Sequence, residues 1–254
     1  MLKQGELNMQ SSNPAIAVIN REAGSFNFGG ADLAATISGT TTKSLLLVAV
    51  TLITGYFSMI YTLSEILYTY QTPNVLIYGS AIAALIVAVI TIFKPRTAPI
   101  TAPIYAILEG VALGSLSAVF ELKYPGIAST AVLSTFVVVI TMLALWKFKI
   151  IVPTARFRSI LTGAIAGVAM VYLLNIVLRL FGINFLPTSG AMSIGISLIV
   201  CAIAAFSLVL DFDDIEYAVN QGLPKYYEYY NAFSLLVTIC WLYVEILKLL
   251  SRRE

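Results

Sequence analysis

The chain has 254 residues, of which 59% are hydrophobic and only 11% charged, with a formal net charge of +2 and no histidine. A soluble domain carries roughly a quarter charged residues, so most of this surface faces something other than water, and a water-soluble globular fold is excluded. The missing histidine removes the Ser-His-Asp triad, the H-E-x-x-H zinc site and the usual sensor near neutral pH, leaving proton-linked behaviour to carboxylates.

In chain order, residues 1–42 are rich in Ser, Thr, Asn and Gly and read as a polar arm, mobile and cytoplasmic, with no apolar run of signal-peptide type. From 43 to 250 there follow uncharged runs of ~20 residues, the length that crosses ~30 Å of hydrocarbon. They predict seven transmembrane helices at about 44–64, 74–93, 98–120, 126–146, 158–180, 189–210 and 230–250. Residues 251–254 form a basic tail. The expected fold class is an all-α integral membrane protein. Turn signals such as Thr72-Pro73-Asn74, Lys94-Pro95-Arg96 and Tyr124-Pro125-Gly126 separate the spans. The apolar stretch 180–210 is too long for one crossing and is divided between Gly182 and Gly190.

Seven spans place ten Lys and Arg residues on the N-terminal side of the membrane and five on the other. The excess predicts a cytoplasmic N-terminus, although Lys248, Arg252 and Arg253 at the far end run against it.

Charges at membrane depth cost about 2.5–3.5 kcal/mol at a helix centre on the insertion scale, so each needs a reason. Glu109 lies at the midpoint of the third span. It could hold the bundle together as a hydrogen-bonded acid, or serve a cation pathway. The same span carries Ala98, Ala102, Ala106, Gly110, Gly114 and Ala118, a small residue every four, which lets another helix approach closely. Ser159, Gly163 and Gly167 repeat the device in the fifth span, with Asn175 and Arg179 farther along. In the last span Glu245 stands three residues before Lys248, spaced for a local ion pair. Cys201 and Cys240 fall inside spans and read as small apolar residues.

The stretch Asp211, Asp213, Asp214, Glu216 breaks the apolar pattern abruptly. Read as the end of the sixth helix, Asp211 is poorly placed, since free carbonyls there already carry partial negative charge. It therefore calls for a cation or for donors from another helix. Asp213 and Asp214 could cap a short following helix. The stretch lacks the glycine and terminal glutamate of an EF-hand, yet Asp211, Asp213 and Asp214 make a dense set of hard oxygen ligands suited to calcium. A wet acidic loop is the plain alternative.

Five stretches together carry a resemblance: "SSNPA" at 11–15, "YAILEGVALGSLSAVFE" with "YPGI" at 105–127, "FRSILTGAIAG" at 157–167, "LDFDDIE" at 210–216 and "YYNAFSLLVTICWLYVEILKLL" at 229–250. They resemble the Bax inhibitor-1 superfamily, in its bacterial branch. The resemblance implies a seven-helix bundle whose last helix is central, and a pH-sensitive calcium leak. It also implies two aspartates, one ending the sixth helix and one inside the seventh, that share protons and hold a cytoplasmic gate. Asp211 falls on the first position. Thr238 stands at the second, so the gating set becomes Asp211, Thr238 and Glu245, with Glu245, Asp213 or Asp214 as stand-ins for the missing acid. Glu245 lies seven residues beyond Thr238, ~10 Å along the helix. No residue matches the family's basic latch.

The resulting expectation is a pH-sensitive cation leak of a bacterial inner membrane, with the lipid bilayer, calcium and protons as its partners. Calcium would be the transported ion and no cofactor is needed. The alternative is a non-conducting adaptor that binds another membrane protein, such as a quality-control protease. An enzyme is not expected, because no G-x-S-x-G or G-x-G-D site is present, and scattered basic residues give no nucleic-acid footprint.

Overall fold

The computed structural model describes residues 34–182, 187 and 190–252, with the side chains of residues 176, 179 and 180 left aside. Most of the polar arm, most of the 182–190 interruption, the Arg179 side chain and the last two residues of the basic tail lie outside the described residues. The helices are α1 (Ile37–Thr69), α2 (Asn74–Phe93), α3 (Ala98–Lys123), α4 (Ile127–Lys147), α5 (Ala155–Leu180), α6 (Ala191–Asn220) and α7 (Tyr227–Ser251). All seven are long and apolar enough to cross a membrane, and the chain is a multi-pass, all-α membrane protein. Helix α1 begins, and α7 starts, on the face that also carries Lys94, Lys147 and Arg158. That face is called the basic face below.

Two boundaries depart most from expectation. Helix α1 starts at Ile37, inside the stretch read as arm, because Thr36 caps it: its hydroxyl accepts the Gly39 N–H at 2.9 Å. The Thr40, Thr41 and Thr42 hydroxyls then fold back onto carbonyls four residues earlier, so a polar run is built into the helix. Helix α6 does not end at Leu210 but continues unbroken to Asn220. Asp211 is therefore no helix terminus, and the acidic stretch is no wet loop. Its apolar residues explain why: Phe212 and Ala218 are buried, and Phe212 packs on Trp146 of α4 with ring centroids 5.9 Å apart.

Helix α7 packs on α1, α3, α4 and α6, while α3 lies between α1 and α2. One apolar core joins α4, α6 and α7 around Leu208, Phe212, Leu242 and Leu247; a second joins α1, α3 and α7 around Leu47, Ala106, Phe233 and Leu236. In lipid, helices gain little from hiding apolar surface and associate through close packing and hydrogen bonds instead. The α1–α3 contact illustrates this. A Cβ on Gly114 would sit 2.1 Å from the Gly55 carbonyl oxygen, and one on Gly110 only 1.9 Å from the Thr54 hydroxyl. Glycine alone permits that approach. It brings Thr51 Oγ1 within 3.1 Å of the Ala106 carbonyl and sets Ser58, Thr62 and Ser115 in one hydroxyl chain at 2.8 and 3.1 Å.

The second small-residue stripe behaves otherwise. Gly163 and Gly167 are exposed, and a Cβ at either would meet nothing within 4 Å. Among the described residues no neighbouring helix packs on this stripe. Helix α5 turns a different face inward, with Leu161 buried and Phe157 edge-on to Phe206 of α6 at 6.2 Å.

The start of α7 is pinned to the start of α1. Glu228, 1% exposed, accepts the Thr36 N–H at 2.9 Å and its hydroxyl at 2.8 Å, and pairs with Lys43. A buried carboxylate with three donors is fully satisfied, and it joins the two helices where the chain enters the bundle.

Candidate functional site: the seam between α6 and α7

On α7, Asn231, Ser234, Thr238 and Glu245 are spaced by three, four and seven residues and so share one stripe. Asp211 of α6 faces that stripe. It is 8% exposed, and its Oδ1 accepts the Ser234 hydroxyl at 2.8 Å. The Thr238 hydroxyl also faces the carboxyl group, though its own hydrogen bond goes to the Ser234 carbonyl at 3.3 Å. Oδ2 is buried and has no hydrogen-bond partner. An orphaned buried carboxyl oxygen is costly. A proton, which turns it into a donor, or a cation would each relieve the cost.

The other acids of the stretch point elsewhere. Successive helical residues turn by ~100°, so Asp213 and Asp214 leave the seam and meet Arg158 of α5. Its Nη2 reaches Asp213 Oδ2 at 2.5 Å and its Nη1 reaches Asp214 Oδ1 at 2.6 Å. Glu216 pairs with Lys149 at 3.5 Å. The expected calcium set of Asp211, Asp213 and Asp214 is thereby corrected: among the described residues, no three acids or cysteines converge as a metal site. The helix divides them between two neighbours, and Arg158 already neutralises two.

Glu245 does not stand in for the missing acid opposite Asp211. It occupies the far end of the seam, 1% exposed. The Tyr172 hydroxyl of α5 donates to its carboxylate, 3.0 Å from each oxygen, and Lys248 Nζ approaches Oε1 at 3.0 Å. Beyond it Arg252 donates to the Ser193 carbonyl and to the Ser197 hydroxyl of α6. Glu109 of α3 is half-buried beside the Tyr105 hydroxyl one turn back. Among the described residues, no interaction joins it to the acids of α6.

Arg158, Ser234 and Tyr172 are functional partners that the sequence does not single out, and Arg158 counts there only among the loop cations that set topology. The clue available was charge complementarity: the acids of α6 and the basic residues opening α5 leave the membrane on the same face. Hydroxyl and phenol partners have no comparable signature, because Ser and Tyr are common in membrane helices for many reasons.

Fold and seam together define a multi-pass membrane protein with an acid lodged between two of its spans and one oxygen of that acid unmet. The chain belongs to the Bax inhibitor 1-like family, whose model matches residues 4–254, nearly its whole length. No curated protein and no solved structure matches it.

Proposed function

We propose that this protein is a pH-sensitive cation leak of a bacterial inner membrane, with calcium as the transported ion and Asp211 as the group that takes up and releases the controlling proton. One observation carries the reading: Asp211 is buried in the α6–α7 seam with Oδ1 on Ser234 and Oδ2 unpartnered. Protonated, the carboxyl can rest between the helices. Ionised, it gains a second donor only if the Thr238 hydroxyl leaves the Ser234 carbonyl, and it favours a cation or separation of α6 from α7. Charged neighbours are Arg158 of α5 and Asp214 of its own helix. Arg158 ties α5 to α6 within one turn of Asp211, so a shift of α6 would be passed to α5. Thr238 in place of a second aspartate makes this a one-carboxyl sensor. Glu109 is the candidate cation ligand farther along.

The experiment is calcium entry into liposomes with an internal dye, across a pH series spanning neutrality, for the native chain, Asp211→Asn and Glu109→Gln. Asp211→Asn is expected to remove the pH dependence, and Glu109→Gln to lower flux at every pH. Flux in Asp211→Asn that keeps the native pH profile would falsify the sensor.

The second reading, an adaptor for another membrane protein, draws on the open Gly163–Gly167 face of α5, where a partner helix could approach as closely as α1 approaches α3. Folded, inserted protein that passes no calcium, yet yields a crosslinked partner lost in Gly163→Leu, would favour it.

A further inference from the structure

A cavity of about 620 Å³ lies between α1, α3, α4 and α7, apart from the α6–α7 seam. On α1 its wall runs from Val48 to Met59, on α3 from Leu113 to Glu121 and on α4 from Ala128 to Phe136. Eleven helical steps along α1 span ~16 Å, about half of the ~30 Å hydrocarbon core. The α3 and α4 segments both belong to the halves remote from the basic face. The cavity therefore has the depth of one leaflet.

Its wall is apolar apart from a few side chains, and the buried hydroxyls among these are already satisfied. Thr51 donates to Leu47 and Ala106 carbonyls, and Thr135 to the Ala131 carbonyl. Ser117 and Tyr243 share a hydrogen bond of 2.6 Å. At the outer end both Glu121 oxygens are taken by the Gly126 and Ala128 N–H groups, which they cap. Liquid water filling this volume would be on the order of 20 molecules, each seeking 2–4 polar partners that the wall does not offer. An empty space of that size would forfeit the packing of its whole lining. A hydrated ion meets the same objection, in contrast to Asp211 with its free oxygen.

The cavity is also open to the bilayer. Helices α1 and α4 at most graze each other, and the residues at the gap, Leu52 and Tyr56 on one side and Leu133 on the other, are exposed on the outer surface of the spans. The lining is continuous with the lipid-facing surface. We infer that the cavity is a binding site for one acyl chain of a membrane lipid, which enters between α1 and α4 from the leaflet remote from the basic face and rests on Thr135, Ile239 and Tyr243. The occupant completes the packing between α1 and α4. This inference stands whether or not the protein conducts ions.

The test uses the full chain in phospholipid vesicles that contain a phospholipid with a diazirine in its acyl chain. After irradiation, adducts are mapped by mass spectrometry. Adducts are expected at the cavity floor, on Thr135 and Ile239, as well as on lipid-facing Leu85 and Ile86 of α2. Val132→Trp, whose ring narrows the cavity beside the α1–α4 gap, should sharply lower the floor adducts and leave those on α2. Should that variant lose the α2 pattern through misfolding, Val132→Phe gives the same comparison with a smaller insertion. Adducts confined to the rim and outer surfaces overturn the inference, as do floor adducts undiminished in a folded Val132→Trp variant. Labelling of the floor by a water-soluble diazirine instead of the lipid overturns it too.

Discussion

The two ends of the α6–α7 seam each bury an acid, and they bury it differently. Glu245 has a phenol across both oxygens and an ammonium at 3.0 Å. Asp211 has one serine and one orphaned oxygen. Both are buried, so burial alone does not separate the two. The distinction lies in whether the ionised form has its donors. Glu245 is arranged to stay as it is and to fasten α5 to α7. Asp211, with one oxygen unmet, is the acid that the proposed function makes responsive.

The largest expected effect tests the structural half of this contrast. Glu245→Ala strands Tyr172 and Lys248. Removing one partner of a fully buried pair costs about 3–5 kcal/mol, and here Lys248 is a third exposed and can turn to the interface. A loss of about 2–3 kcal/mol in detergent unfolding is expected, while Glu245→Gln, which keeps the Tyr172 bond, should lose about half of that. In both, the pH profile of flux should be unaltered. A changed profile would erase the contrast. The next effect sharpens it. Thr238→Asp places a second carboxyl against Asp211, where two negative charges resist one another. The pH midpoint of calcium flux should rise by about one unit or more, and an unmoved midpoint would mean that position 238 does not face the sensor. The smallest effect is on the stability of Asp211→Asn. The amide can keep the Ser234 bond, and no charge is left unmet, so unfolding should differ from the native chain by less than about 1 kcal/mol. A loss comparable with that of Glu245→Ala would show Asp211 to be a structural acid like its counterpart.

The small-residue stripes show how far sequence reading reaches. Gly110 and Gly114 and the pair Gly163 and Gly167 have the same spacing in equally apolar helices. The first pair lies against the backbone of α1, and the second faces open space. Spacing records that a helix can be approached closely and not whether a neighbour arrives. The acidic stretch shows the same limit. Its oxygen-rich chemistry was plain, yet the ~100° step between residues sent Asp211 to α7 and Asp213 and Asp214 to Arg158, and the calcium set dissolved.

What the sequence determined by itself is the number, place and approximate length of the spans. Surface facing hydrocarbon must be predominantly apolar and backbone groups bonded within their own helix, so each crossing is written locally in about 20 residues. Only the tertiary structure decided which residue meets Asp211, that α6 runs on to Asn220, that Glu245 and Asp211 stand at opposite ends of one seam, and that α1 and α4 part around a cavity. Those outcomes depend on which faces of seven similar helices meet, and that is a property of the packed bundle that no single helix encodes.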